Sequence, residues 1–139
     1  MKCYVLKIDK HIAKVYSFPD GMKDPKVFEE KHTEHHTHNS KDANKDHMNK
    51  FYHEVASYLK TNAKEIYVLG PKVATAEFKH HLDNHHHQDV AKCIVGTDTI
   101  DGHSTDGDVF NKAKEFFKHY KSFTPNYWFI PNGGDLRLL

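Results

Sequence analysis

Cysteine, arginine and long apolar stretches are all scarce in this chain. Of 139 residues two are cysteines, Cys3 and Cys93. Both fall in apolar, strand-like surroundings, and two thiols build neither a disulfide framework nor a metal framework, so they read as buried free thiols. Arg137 is the one arginine, against nineteen lysines. A site that reads phosphates by bidentate contact would be expected to use arginine instead. No apolar run approaches the roughly 20 residues that cross a bilayer. The start of the chain, Met1-Lys2-Cys3-Tyr4-Val5-Leu6-Lys7-Ile8-Asp9, is too charged for a secretory leader and reads as a first strand, so the expected location is cytoplasmic. The formal net charge is +1, which removes the bulk electrostatic argument for nucleic acid.

What the chain has instead is histidine, fourteen of them. With an ordinary pKa of about 6.5 each, they make the net charge climb as pH falls toward 5. Four stand in the run Lys31-His32-Thr33-Glu34-His35-His36-Thr37-His38-Asn39-Ser40-Lys41-Asp42, which contains no apolar residue and reads as a surface loop. Five more, His80, His81, His85, His86 and His87, gather near the end of a helical pattern.

Hydropathy patterning predicts the elements. Residues 3–8 and 12–18 alternate and are rich in β-formers, and Asp9-Lys10-His11 is short enough to join them as a hairpin. Pro19-Asp20-Gly21 is a turn signal, and 26–34 is a polar candidate edge strand. Met48, Phe51, Tyr52, Val55 and Leu59 form a helical stripe that ends at Thr61-Asn62. A short buried strand at 65–69 runs into Gly70-Pro71 and a second helix carrying Ala74, Phe78 and Leu82. Another buried strand follows at 93–97. Thr105-Asp106-Gly107-Asp108 has the spacing of a capping box, opening a third helix with Val109, Phe110, Ala113, Phe116, Phe117 and Tyr120 on one face. The order β-β-β-α-β-α-β-α predicts an α/β fold: a mixed five-stranded sheet, three strands antiparallel and two parallel, with three helices.

One domain is expected over 1–121. The stretch 122–139 differs, with Phe123, Tyr127, Trp128, Phe129 and Ile130 set among Pro125, Pro131 and Gly133-Gly134. It is too apolar for a disordered tail. Its two readings are a strap on its own domain and an arm that pairs with a partner, a second copy included.

Five segments, taken in order, resemble a family of small bacterial proteins, the translational machinery proteins. They are Leu6-Lys7-Ile8-Asp9-Lys10-His11-Ile12-Ala13-Lys14-Val15, the His-x-x-His-His-x-His loop, Ile66-Tyr67-Val68-Leu69-Gly70-Pro71, Lys79-His80-His81-Leu82, and Val95 through Gly107 with its Asp101-Gly102-His103-Ser104-Thr105-Asp106-Gly107 run. That family in turn is similar to the middle domain of archaeo-eukaryotic release factors and Pelota. The resemblance implies a ribonuclease H-like sheet and a role in translation, with the ribosome or tRNA as partner. It also places the histidine loop, 32–45, where release factors carry the Gly-Gly-Gln tripeptide that promotes peptidyl-tRNA hydrolysis. No Gly-Gly-Gln occurs here, so release activity is expected to be absent. The chain departs from the family's Gly-Pro-Gly-x-Ala-Lys turn, reading Gly70-Pro71-Lys72-Val73-Ala74-Thr75 without the lysine. The family's Asp-His-Pro-Thr-Asp-Gly run gains Gly102 and loses its proline.

Three functional readings follow. A non-catalytic accessory protein of translation would use the loop and the lysines of the third helix, Lys112, Lys114, Lys118 and Lys121, against RNA phosphates, with affinity that falls with salt. A histidine protein would bind zinc or nickel through His32, His35, His36 and His38, because neutral imidazoles at short spacing suit such ions, or would respond to pH. A metal-dependent nuclease would gather Asp9, Asp98, Asp101 and Asp106 at strand ends. The loop holding Asp101, His103 and Asp106 has no role assigned by the sequence. For the second histidine cluster the simplest reading is structural: protonated imidazoles suit the negative end of a helix, and His81 is packed.

Overall fold

The computed structural model describes residues 3–30 and 40–122, with the side chains of 40–46 and 121–122 excepted. Five strands form one sheet: β1 (Cys3–Ile8), β2 (Ile12–Phe18), β3 (Lys26–Glu29), β4 (Glu65–Gly70) and β5 (Ile94–Thr99). Their order across the sheet is β3-β2-β1-β4-β5. The pairs β1–β2 and β2–β3 are antiparallel, while β1–β4 and β4–β5 are parallel. This is the expected mixed α/β sheet, and its connectivity explains the mixture. Short turns can only reverse the chain, whereas a return through a helix brings the next strand back in the same direction.

Four helices are described: α1 (Ser40–Asn62), α2 (Lys72–Asn84), α3 (Gln88–Ala91) and α4 (Asp106–Ser122). The single turn α3 was not expected, since four residues are too few to display a helical period. Two boundaries also move. β3 ends at Glu29 rather than near residue 34. α1 begins at Ser40, inside the stretch expected to be loop. Its first turns, Ser40-Lys41-Asp42-Ala43-Asn44-Lys45-Asp46, carry no apolar stripe by which periodicity could mark them.

The hairpin between β1 and β2 is closed by Asp9, whose Oδ1 accepts from the backbone N–H groups of His11 (2.8 Å) and Ile12 (2.9 Å). The central strand β1 sends Tyr4, Leu6 and Ile8 to one face of the sheet. There they pack with Ala13, Val15, Ile66 and Val68, with Phe51, Tyr52, Val55 and Leu59 of α1, with Phe78 and Leu82 of α2, and with Val90 of α3. Full burial of such a side chain stabilises by about 1.5–3 kcal/mol. Val5, Tyr16 and Tyr67 are buried as well. Cys3 is buried and donates from Sγ to Glu65 Oε1 at 3.2 Å, whereas Cys93 is half-buried. Gly70 closes β4 against β1, where an added Cβ would collide with the backbone oxygen of Ile8.

The chain divides into two compact units, Met1–His103 and Ser104–Leu139. In the second, the expected capping box is present: Asp108 N–H donates to Thr105 Oγ1 at 3.1 Å and Thr105 N–H donates to Asp108 Oδ2 at 3.0 Å. Among the described residues, no helix is long and apolar enough to cross a membrane.

Candidate functional site

In the first unit, histidines converge where α1 meets the end of α2. His81 lies in the last turn of α2, three residues after the core residue Phe78, and this spacing turns it inward. Only 5 % of His81 is exposed. The ring of Tyr52 lies 5.4 Å from it, and the rings of His85 and His87 are stacked near it at 4.4 Å and 5.7 Å. Neither imidazole nitrogen of His81 has a hydrogen-bond partner. A buried polar group left this way costs about 1–3 kcal/mol. His87, also buried, shares a 3.1 Å hydrogen bond between its Nε2 and Nδ1 of His53 on α1.

Electrostatics follow from this packing. Burial first, and then the neighbouring His85, His87 and His53, push the His81 pKa down to about 4. Burial and His53 lower that of His87 as well. The end of the α2 dipole would favour an imidazolium, but desolvation outweighs it, so His81 is a neutral packed ring and not a charged cap. Tyr52 donates from its hydroxyl to Glu77 Oε2 at 3.3 Å, and burial followed by that carboxylate raises its pKa.

Beside this cluster runs a cleft of about 650 Å³ lined by Asn49 and Tyr52 of α1, by Glu77, His80 and His81 of α2, and by His85. Asn84 steadies His80, with its Nδ2 2.8 Å from the ring Nε2. Among the described residues, no lysine lines the cleft. His53 was not singled out from sequence, because it stands apart from both histidine clusters. It follows Tyr52 on α1 with an exposed side chain, and nothing local points it to His87.

The residues singled out from sequence are scattered. His32, His35, His36 and His38 lie outside the described residues. Among the described residues no three His, Cys, Asp or Glu side chains come together as a metal shell. The strand-end acids are occupied by local structure. Asp9 closes the hairpin, Asp98 Oδ2 accepts from Tyr67 at 2.6 Å, and Asp101 Oδ1 accepts from the His103 N–H at 3.0 Å. In the same loop Lys7 Nζ donates to the Gly102 carbonyl at 3.3 Å. Asp106 opens α4 in the other unit. Where the resembled family has a lysine in its turn, Thr75 is buried and donates to the Lys72 carbonyl at 3.0 Å.

In the second unit, Lys112 and Lys118 are exposed. Lys114 is half-buried, with Nζ 5.3 Å from the centre of the Phe110 ring. At about 100° per residue, Lys114 and Lys118 share a face and Lys112 stands roughly 120° or more away. The described lysines therefore do not form one patch. Lys121 is in the last turn of α4, with its side chain outside the described residues.

No protein-family model matches the chain, and no curated protein matches it. Among solved structures, its fold is similar to that of Pelota from Archaeoglobus fulgidus, with a TM-score of 0.51, 12% identity, and a match covering 88% of this chain and 37% of that one. An archaeal translation termination factor gives a TM-score of 0.49 at 11% identity, covering 90% of this chain and 41% of that one. The chain thus spans less than half the length of either, and at such identities the likeness to Pelota is one of fold.

Proposed function

We propose that this chain is a non-catalytic accessory protein of translation that binds the ribosome or tRNA. The observation that carries the reading is the agreement of sequence motifs with a fold. Four of the five segments that resemble translational machinery proteins fall on described elements: the β1–β2 hairpin, β4 with its end, the last turns of α2, and β5 with the loop that follows. The fold that holds them is similar to Pelota over 88% of this chain. Fold alone does not assign activity, so the reading rests on the two together.

In this reading the contact is made by segment 32–45 and by the lysines of α4. Lys114, Lys118 and Lys121 act as one group and Lys112 as a separate, weaker contact. Phosphate contacts of this kind release counterions, so binding weakens as salt rises.

Co-sedimentation of the full chain with ribosomes, over a salt series, tests the proposal. The chain is expected to pellet with ribosomes at low salt and to be released as salt increases. Replacing 32–39 by a Gly/Ser linker of equal length, or changing Lys114 and Lys118 to Glu, is expected to weaken association. Absence of any salt-sensitive association with ribosomes or tRNA would overturn the reading.

A further inference from the structure

The convergence of histidines on His81 has a consequence independent of any partner. Each group that stacks on this ring or bonds to a ring stacked on it can be named. From α1 come Tyr52, whose hydroxyl is turned to Glu77, and His53, bonded to His87. From the end of α2 comes His85, stacked at 4.4 Å. From the segment before α3 comes His87. Beyond these, Lys60 and Asp89 pair at 3.5 Å between α1 and α3 on the exposed side of His87. Glu77, His80 and Asp83 are carried on α2 itself. No hydrogen-bonding carboxylate meets either nitrogen of His81. A proton arriving there would create a buried cation stacked on two further imidazoles, with no described carboxylate bonded to it.

The turn that covers His81, residues 85–87, is held by two backbone bonds, while Val90 of α3 beyond it is anchored in the core. His85 N–H donates to the His81 carbonyl at 3.0 Å and His87 N–H to the Leu82 carbonyl at 3.1 Å. Between these bonds His86 has a φ of 62°, a left-handed conformation in a residue with a Cβ. That conformation is strained for a residue with a Cβ, and the strain is relieved when the turn opens. The Lys60–Asp89 pair is solvent-exposed, and such pairs add little. The bond from His53 to His87 needs one ring to donate and the other to accept. It is lost when both are protonated.

We propose that the turn between α2 and α3 is an acid-operated latch. With its imidazoles neutral, residues 85–87 are closed against α1. Protonation of His81 and its neighbours releases them and uncovers Tyr52 at the floor of the cleft, while the five-stranded sheet stays folded. The lowered pKa values of His81 and His87 set the direction: the closed form binds protons more weakly than the open one, so acid favours opening.

Amide hydrogen exchange on the full chain between pH 7.5 and 5, corrected for intrinsic rates, reads the latch directly, with imidazole NMR signals followed in the same samples. Protection of the His85 and His87 amides is expected to fall roughly tenfold or more on acidification, beginning above the pH at which His81 itself is charged in the closed form, while β1 and β4 amides keep theirs. The His81→Phe variant keeps a ring against Tyr52 without a titrating nitrogen, and is expected to hold the change within about twofold. His53→Gln, a milder change on an exposed side chain, is expected to shift opening toward higher pH. The proposal is overturned if the His85 and His87 amides keep their protection as pH falls, if sheet amides lose protection together with them, or if both variants behave as the unaltered chain.

Discussion

His53 and His87, thirty-four residues apart in the chain, meet ring to ring with Nδ1 and Nε2 separated by 3.1 Å. The contact joins α1 to the segment that follows α2.

Acid should also lower overall stability, alongside the local opening of the turn over His81. An unfolded histidine takes its proton near pH 6.5, whereas His81 in the folded chain does so near 4. The folded state binds fewer protons between these values, so stability is full above about pH 6.5 and is lost as pH falls toward 4. Thermal melts should show the midpoint dropping by roughly 5 °C or more from pH 7 to pH 5. His81→Phe should flatten that slope. A midpoint that rises over this interval would contradict the assignment.

Tyr67 is a second buried group with a measurable signature. Its hydroxyl donates to Asp98 at 2.6 Å across the β4–β5 pair. Burial and then that carboxylate raise its pKa well above the ordinary tyrosine value. In an ultraviolet titration Tyr67 and Tyr52 should both stay un-ionised where an ordinary tyrosine ionises, near pH 10, and one of that pair should vanish from the count in Tyr67→Phe. The variant should lose about 1–2 kcal/mol in urea unfolding.

Gly70 admits no side chain. Gly70→Ala places a methyl group against the Ile8 backbone, so β4 must separate from β1 at its end. A loss of about 2 kcal/mol or more is expected, since neither backbone segment can move without breaking ladder bonds. An unchanged urea midpoint would show that the two strand ends part freely.

The α4 capping box gives a prediction confined to the second unit. Thr105→Ala removes the acceptor for the Asp108 N–H, and such a cap contributes about 1 kcal/mol. Circular dichroism in a thermal melt should show helix lost at lower temperature. Thr105→Ser, which keeps the oxygen, should behave as the unaltered chain does.

The sheet was legible in the residues because its determinants are local. Alternation in 3–8 and 12–18 gives strands, Asp9 gives the reversal, and helical returns force parallel pairing. Helix α3 and the first turns of α1 were not legible, one being too short and the other too polar for a period to appear. The Thr105–Asp108 box could be read from spacing alone because both of its bonds are made within four residues. The histidines behaved differently. Composition marked them as the chain's unusual feature, and the Tyr52 and Phe78 stripes fixed which helix faces turn inward. The sequence could not say that His53 would meet His87, or that His81 would be left without a hydrogen bond. Those facts depend on how α1 and α2 cross over the sheet, which is decided by packing of side chains distant in the chain, and so only the tertiary structure sets them.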